Sequence, residues 1–251
     1  MNPKPEKQKL KPPSESQNSA RPLQKMFVAV PPSYDFLNRL LTLRMDELWR
    51  KKAARLLLGN HPSRVLDLCT GTGDLAMHLQ KMAGKNTRVT ALDYSQPMLE
   101  VAEKKAGKRK LIGIEFIHGD AADLPFEDSC FDGVGIAFAF RNLTYKNPDT
   151  EKFLAEILRV LKPGGQFVAV ETSQPRNRFM RSLFHAYLKY ITSPVGGWLS
   201  GHKGAYHYLA HSAVNYYHPG ELKEILMNAG FKKADYRLLF NGVAALWDCR
   251  K

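Results

Sequence analysis

The sequence holds three cysteines in 251 residues, at 69, 130 and 249, and their separations match no metal-ligand spacing. It opens without an apolar signal segment, which together with the few cysteines leads us to expect a reducing, cytoplasmic compartment. The longest apolar stretches, such as residues 131–140, reach about half of the ~20 residues that span a bilayer. No internal repeat is visible. Acids are scarce beside bases, with 24 Asp+Glu against 37 Lys+Arg and a formal net charge of +13. A hydrophobic content of 44% is enough for a core, which excludes a wholly disordered chain, a fibre and a disulfide-stapled miniprotein. The basic excess admits three partners: nucleic acid, an anionic membrane face, or an acidic small molecule.

Residues 1–25 carry six Lys/Arg and two Asp/Glu among Pro, Ser, Gln and Asn, a composition that reads as a flexible basic tail. A single domain is expected over 26–251. Its first part, 26–58, repeats Leu, Phe and Trp at helical spacing and predicts two amphipathic helices. Strands are expected at 64–68, 88–92, 114–118, 131–140 and 166–171, and helices at 74–82, 96–105 and 150–161. Such alternation predicts a parallel sheet covered on both faces. Residues 172–218 read as a helical insertion on the substrate side and as the least regular part of the fold. A last helix at 219–229 and strands at 233–239 and 243–248 close the chain.

Where the first strand passes into a helix, the run from Asp67 to Asp74 contains Gly71, Thr72 and Gly73, so the backbone can turn sharply against a ligand. A pyrophosphate would favour the positive helix end, but Asp67 and Asp74 bracket this turn with negative charge. That suits a cationic ligand. Asp93, ending the second strand, can accept hydrogen bonds from two ribose hydroxyls, with the ring of Tyr94 beside it. Asp120 and Ala121, after the third strand, can read an adenine through a carboxylate and the backbone. A positively charged adenosine meets all three sites, and S-adenosylmethionine is such a molecule.

These residues, with five further motifs, make the chain resemble the ubiquinone/menaquinone biosynthesis C-methyltransferases, a family of class I methyltransferases. The motifs are Tyr34-Asp35-x-x-Asn38, Leu124-Pro125-Phe126, Phe140-Arg141-Asn142, the run from Arg159 to Gly165, and Tyr206-x-Tyr208-Leu209 with Ser212. The resemblance covers about Met26 to the C-terminus. It implies a Rossmann-like α/β fold with a mainly parallel seven-stranded sheet, N-terminal helices and the insertion before the last two strands. It also implies C-methylation of a quinol ring in menaquinone or ubiquinone biosynthesis, foremost demethylmenaquinol to menaquinol with a benzoquinol as the alternative ring, with S-adenosylmethionine as cofactor and a prenylated quinol as substrate.

On this resemblance Tyr34 and Asn38 fold over the methionine end of the cofactor. Where a serine commonly lines the adenosine site Ala137 stands here, leaving only a backbone contact. Arg141 is expected to stabilise a developing phenolate, with Asn142 orienting the ring. Glu171 and His207 are the candidate proton acceptors, and Tyr206 and Tyr208 would wall the quinol pocket. A lipid-borne substrate implies peripheral contact with an anionic membrane through the basic, aromatic run 176–191. A homodimer is compatible with it. Nucleic acid is disfavoured, because no Asn/Asp-Pro-Pro-aromatic motif follows the fourth strand and no cysteine follows a proline. Another hydroxylated aromatic or lipid-like substrate, and a non-catalytic cofactor-binding regulator, are the competing readings.

Overall fold

The computed structural model describes residues 39–251, so the tail at 1–25 and the candidates Tyr34 and Asn38 lie outside the described residues. Helix α1 (Met45–Leu58) buries Trp49, Ala53, Ala54 and Leu57 at helical spacing. It is the one of the two expected N-terminal helices that the described residues contain in full. Then come β1 (Arg64–Leu68), α2 (Asp74–Met82), β2 (Arg88–Asp93), α3 (Gln96–Lys108) and β3 (Ile114–His118). β4 (Phe131–Ala137), the short α4 (Phe140–Thr144), α5 (Thr150–Val160) and β5 (Leu161–Thr172) complete the alternating part. Helices α6 (Arg178–Tyr187), α7 (Ser193–Ser200) and α8 (Lys203–Val214) follow, and α9 (Pro219–Asn228), β6 (Lys233–Leu239) and β7 (Ala244–Arg250) close the chain.

The seven strands form one sheet in the order β3-β2-β1-β4-β5-β7-β6. Neighbours are parallel except at β7, which runs antiparallel to both β5 and β6. The chain order reverses between β1 and β4, the topological switch point where open α/β sheets leave a crevice at the carboxyl ends of their strands. One face packs Phe126, Phe131, Phe140, Phe167 and Trp247; the other packs Trp49, Leu57, Leu75 and Val168. Helix α1 comes this close because β4 carries glycine beneath it: a Cβ on Gly133 would stand 2.7 Å from Leu57 Cδ1.

Three expectations change. β4 stops at Ala137 instead of running to 140, because Phe138 turns into the left-handed region at φ +59° and the chain re-forms as α4. β5 begins five residues early, since Leu161 pairs with Phe131 before Gln166 pairs with Gly133, and the Lys-Pro-Gly-Gly run bulges out between them. The region after β5 is also more regular than its composition suggests. Its glycines are poor helix formers, yet Gly196 sits in α7 because the Tyr206 ring of α8 lies against it and leaves no room for a Cβ. Tertiary packing overrides local propensity there. A π-turn, Leu188–Thr192, joins α6 to α7.

Candidate active site

The carboxyl ends of β1, β2 and β4 surround a cavity of about 430 Å³, lined among others by Asp67, Gly71, Asp93, Asp120 and Ala121. Asp67 Oδ2 accepts from the Thr70 hydroxyl (2.5 Å) and the Ala76 N–H (2.8 Å). Its Oδ1 takes no hydrogen bond among the described residues, so it remains for a ligand. Burial pushes the Asp67 carboxyl up to about 7, and a cation placed beside it would favour ionisation. Asp93 ties the glycine turn to β2: Gly71 N–H donates to its Oδ2 (2.7 Å) and Ser95 N–H to its Oδ1 (2.8 Å). Each oxygen keeps a lone pair that can accept a hydroxyl. Burial raises this carboxyl as well, against the Ser95 and Gly71 hydrogen bonds. Asp120 Oδ1 accepts from the Ala122 N–H (2.9 Å), and Tyr94, Thr72 and Ala137 also line the cavity.

Two residues of the turn differ from Asp67 in what they offer a ligand. Asp74 lines the cavity, but its charge is compensated there, because Lys105 (2.7 Å) and Arg39 (3.1 Å) pair with it. Burial pushes its carboxyl up, but the Lys105, Arg50 and Arg39 charges outweigh burial and hold it below the usual range. One acid of the bracketing pair therefore offers an uncompensated oxygen. Gly73, by contrast, does not line the cavity. With φ +84° and a hypothetical Cβ 2.9 Å from the Ala102 Cβ, it is glycine so that α3 can pack on the turn.

A second, more apolar cavity of about 490 Å³ lies between α1, α6 and α8 and shares Arg50, Phe138 and Asn142 with the first. At its polar end stand Arg141, Asn142 and Glu171. Glu171 is buried at the end of β5, where Oε2 accepts the Arg141 N–H (3.0 Å) and Oε1 the Thr172 N–H (2.8 Å). The Arg141 side chain is buried too, and among the described residues no carboxylate pairs with its guanidinium and Nε has no hydrogen-bond partner. Asn142 Oδ1 is likewise buried without a partner. Unsatisfied buried polar atoms are costly, and here they cluster where the two cavities meet. Tyr206 and Tyr208 line the second cavity. Burial pushes the Tyr208 phenol up, opposed by the nearby Arg141 charge.

His207 is a correction. It is exposed on the outer side of α8, stacked on His211 at 6.4 Å, and lines neither cavity, because Tyr206 and Tyr208 take the inward positions of the helix. Sequence reasoning also missed the shared wall. Phe138 packs on Trp49 (6.1 Å) and beneath the Arg50 guanidinium (4.9 Å), and Arg50 is anchored by Asp46 (2.5 Å). The bulky left-handed residue closing β4 is the local signal, but sequence does not display φ. Two of the motifs prove to brace each other. Arg159 donates to the Phe126 (2.8 Å) and Leu124 (3.0 Å) carbonyls, and Glu156 accepts the Leu124 N–H (2.7 Å).

Comparison with known proteins agrees with this geometry. The solved structure of a SAM-dependent methyltransferase from Aquifex aeolicus superposes with a TM-score of 0.58 at 22% identity, covering 90% of this chain and 96% of that one. A likeness at that identity speaks for the fold. Demethylmenaquinone methyltransferase from Thermus thermophilus is 42% identical over 221 residues, 88% of this chain and 97% of the relative. The enzyme of the same name from Deinococcus radiodurans is 38% identical over 236 residues, 94% and 95% of the two chains. The profile of the ubiE/COQ5 methyltransferase family matches residues 14–251, and the chain belongs to that family.

Proposed function

We propose that this enzyme transfers a methyl group from S-adenosylmethionine to a ring carbon of a prenylated quinol, demethylmenaquinol, in menaquinone biosynthesis. The observation that carries the reading is the pair of adjacent cavities with a common wall, one rimmed by carboxylates and the other apolar with Arg141 and Glu171 at its head. The residues present fit the cofactor: the open Oδ1 of Asp67 suits an ammonium group, Asp93 suits ribose hydroxyls, and Asp120 with Ala121 suits an adenine edge. When bound, S-adenosylmethionine supplies an electrophilic methyl group whose bonding pair stays on sulfur.

The chain's own residues prepare the acceptor. A phenol-like hydroxyl with a pKa of about 10 is mostly neutral at physiological pH. The buried charge of Arg141 favours the phenolate and so enriches the ring carbon, in a site where its interactions are weakly screened. Asn142, in the wall common to both cavities, orients the ring. Glu171 fixes the backbone of Arg141 and retains lone pairs to take the proton from the alkylated carbon. Tyr206 and Tyr208 flank the ring. A tail of isoprene units resides in lipid, so the protein works from the cytoplasmic side in peripheral contact with the membrane. No helix among the described residues is long and apolar enough to cross one.

The test is transfer of labelled methyl to demethylmenaquinol in detergent, with demethylated benzoquinols in parallel. Arg141→Met is expected to lower kcat by about 100-fold or more, as when one electrostatic stabiliser is removed, with S-adenosylhomocysteine affinity unchanged. Absence of transfer to every quinol would sink the proposal.

A further inference from the structure

Three residues that line the apolar cavity are also strongly exposed: Leu43 at 80%, Leu183 at 56% and Phe240 at 57%. A side chain that belongs to both a cavity wall and the surface marks a mouth. These three come from separate segments, the turn before α1, helix α6 and the connection between β6 and β7. Two of those segments hold non-glycine residues in the left-handed region: Leu43 (φ +51°) with Arg44 (φ +62°), and Phe240 (φ +44°) with Asn241 (φ +54°). Strain of this kind persists where surrounding structure serves a purpose. Here it presents apolar groups to the outside.

The roof over the mouth is lightly held. Helix α6 has no buried residue, although Met180, Leu183, Phe184 and Tyr187 line the cavity, and the Tyr187 hydroxyl donates to the Leu41 carbonyl at 2.5 Å. The stretch that begins with this roof helix and runs on through α7 also leaves Phe179, Tyr190, Ile191 and Trp198 exposed. Residues 172–220 contain five Lys/Arg and no Asp or Glu. A soluble protein rarely leaves so many large apolar side chains uncovered in one region.

We propose that this collar seats the protein on an anionic lipid bilayer, so that the cavity mouth opens directly into hydrocarbon. The inference rests on the prenylated-quinol reading for its purpose: a tail would pass from lipid to Leu43, Leu183 and Phe240 without crossing water. Charge selects the occupant. The acid-free stretch complements anionic headgroups, whereas a second copy of this chain would bring the same basic surface against itself. Aromatic side chains at the boundary of water and lipid, with basic residues beside them, are the chemistry of interfacial helices.

Tryptophan fluorescence of the full chain gives a local readout, because Trp49 and Trp247 are buried and Trp198 is 77% exposed. Vesicles of phosphatidylglycerol and phosphatidylcholine should shift its emission to the blue and protect it from acrylamide, and lipids brominated in the acyl chain should quench it. Pure phosphatidylcholine vesicles should do so weakly. In flotation, Arg178→Glu with Lys189→Glu, and separately Phe179→Ser with Ile191→Ser, should each weaken binding by about 10-fold or more, given the ~10-fold per 1.4 kcal/mol relation and about 1 kcal/mol per basic residue near the surface. Binding in which Trp198 stays open to acrylamide would overturn the proposal, since another segment would then hold the lipid. A blue shift without lipid, together with a dimer in sedimentation, would overturn it in favour of a second copy. Methyl transfer to a quinol with a short, soluble side chain is measured beside these. Transfer without docking sinks the collar and leaves the function; docking without transfer to any quinol does the reverse.

Discussion

Asp67 offers a test in which stability and binding should move in opposite directions. Its carboxyl is buried at the end of β1, with Thr70 and Ala76 both donating to Oδ2, and burial raises it to about 7. Against an unfolded value of about 3.9, the difference corresponds to at most about 4 kcal/mol. Between those two values the folded chain holds a proton that the unfolded chain has released. This contribution to stability is therefore fully present below about pH 4 and lost as pH rises through about 7. An amide in place of this carboxyl would keep an oxygen for Thr70 and Ala76 and carry no charge. Asp67→Asn should raise the thermal midpoint of the cofactor-free protein at pH 8 by several degrees, at about 2–4 °C per kcal/mol for a domain this size, and by little at pH 4. Affinity for S-adenosylhomocysteine should fall about 10- to 100-fold, as a hydrogen bond to a charged group is worth about 1.5–3 kcal/mol. In the wild type, calorimetry should show affinity rising between about pH 6 and 7.5 as the carboxyl ionises. Equal midpoint differences at pH 4 and 8, or unchanged affinity, would refute the assignment of Oδ1 to the ligand's cation.

Other substitutions separate bracing from chemistry. Arg159→Met leaves the Leu124 and Phe126 carbonyls without their donor and should cost roughly 1–3 kcal/mol in denaturant unfolding, with S-adenosylhomocysteine affinity intact. Gly196→Ala drives a methyl into the Tyr206 ring and should destabilise by about 1–3 kcal/mol or displace α7. Because Tyr206 lines the apolar cavity, that variant should raise KM for the quinol while leaving calorimetric cofactor binding unchanged.

Much of the sheet was legible because its signals are local. The strand at 114–118 and the helix at 74–82 have the bounds their periodicity predicts, and 233–239 forms a strand as expected. The glycine turn and the acids at the ends of β1 and β2 were legible for the same reason, since each follows a short apolar run. The misreadings concern partners far away in sequence. Asp74 looked like an open negative charge until α3 brought Lys105 to it, 31 residues on. His207 looked available until the packing of α8 turned its neighbours inward. The glycines of α7 looked irregular until Tyr206 lay across them.

By itself, then, the sequence determined the alternation of strands and helices up to β5 and the chemical kinds of group at the strand ends, because alternation, glycine turns and strand-end acids are written within a few residues. Tertiary structure alone decided, among the described residues, which carboxylate keeps an open oxygen, that Arg141 goes without a carboxylate partner, and that Leu43, Leu183 and Phe240 ring one mouth. Ion pairing, burial and cavity shape depend on segments that meet only when the chain has folded, and no local pattern records who will meet whom.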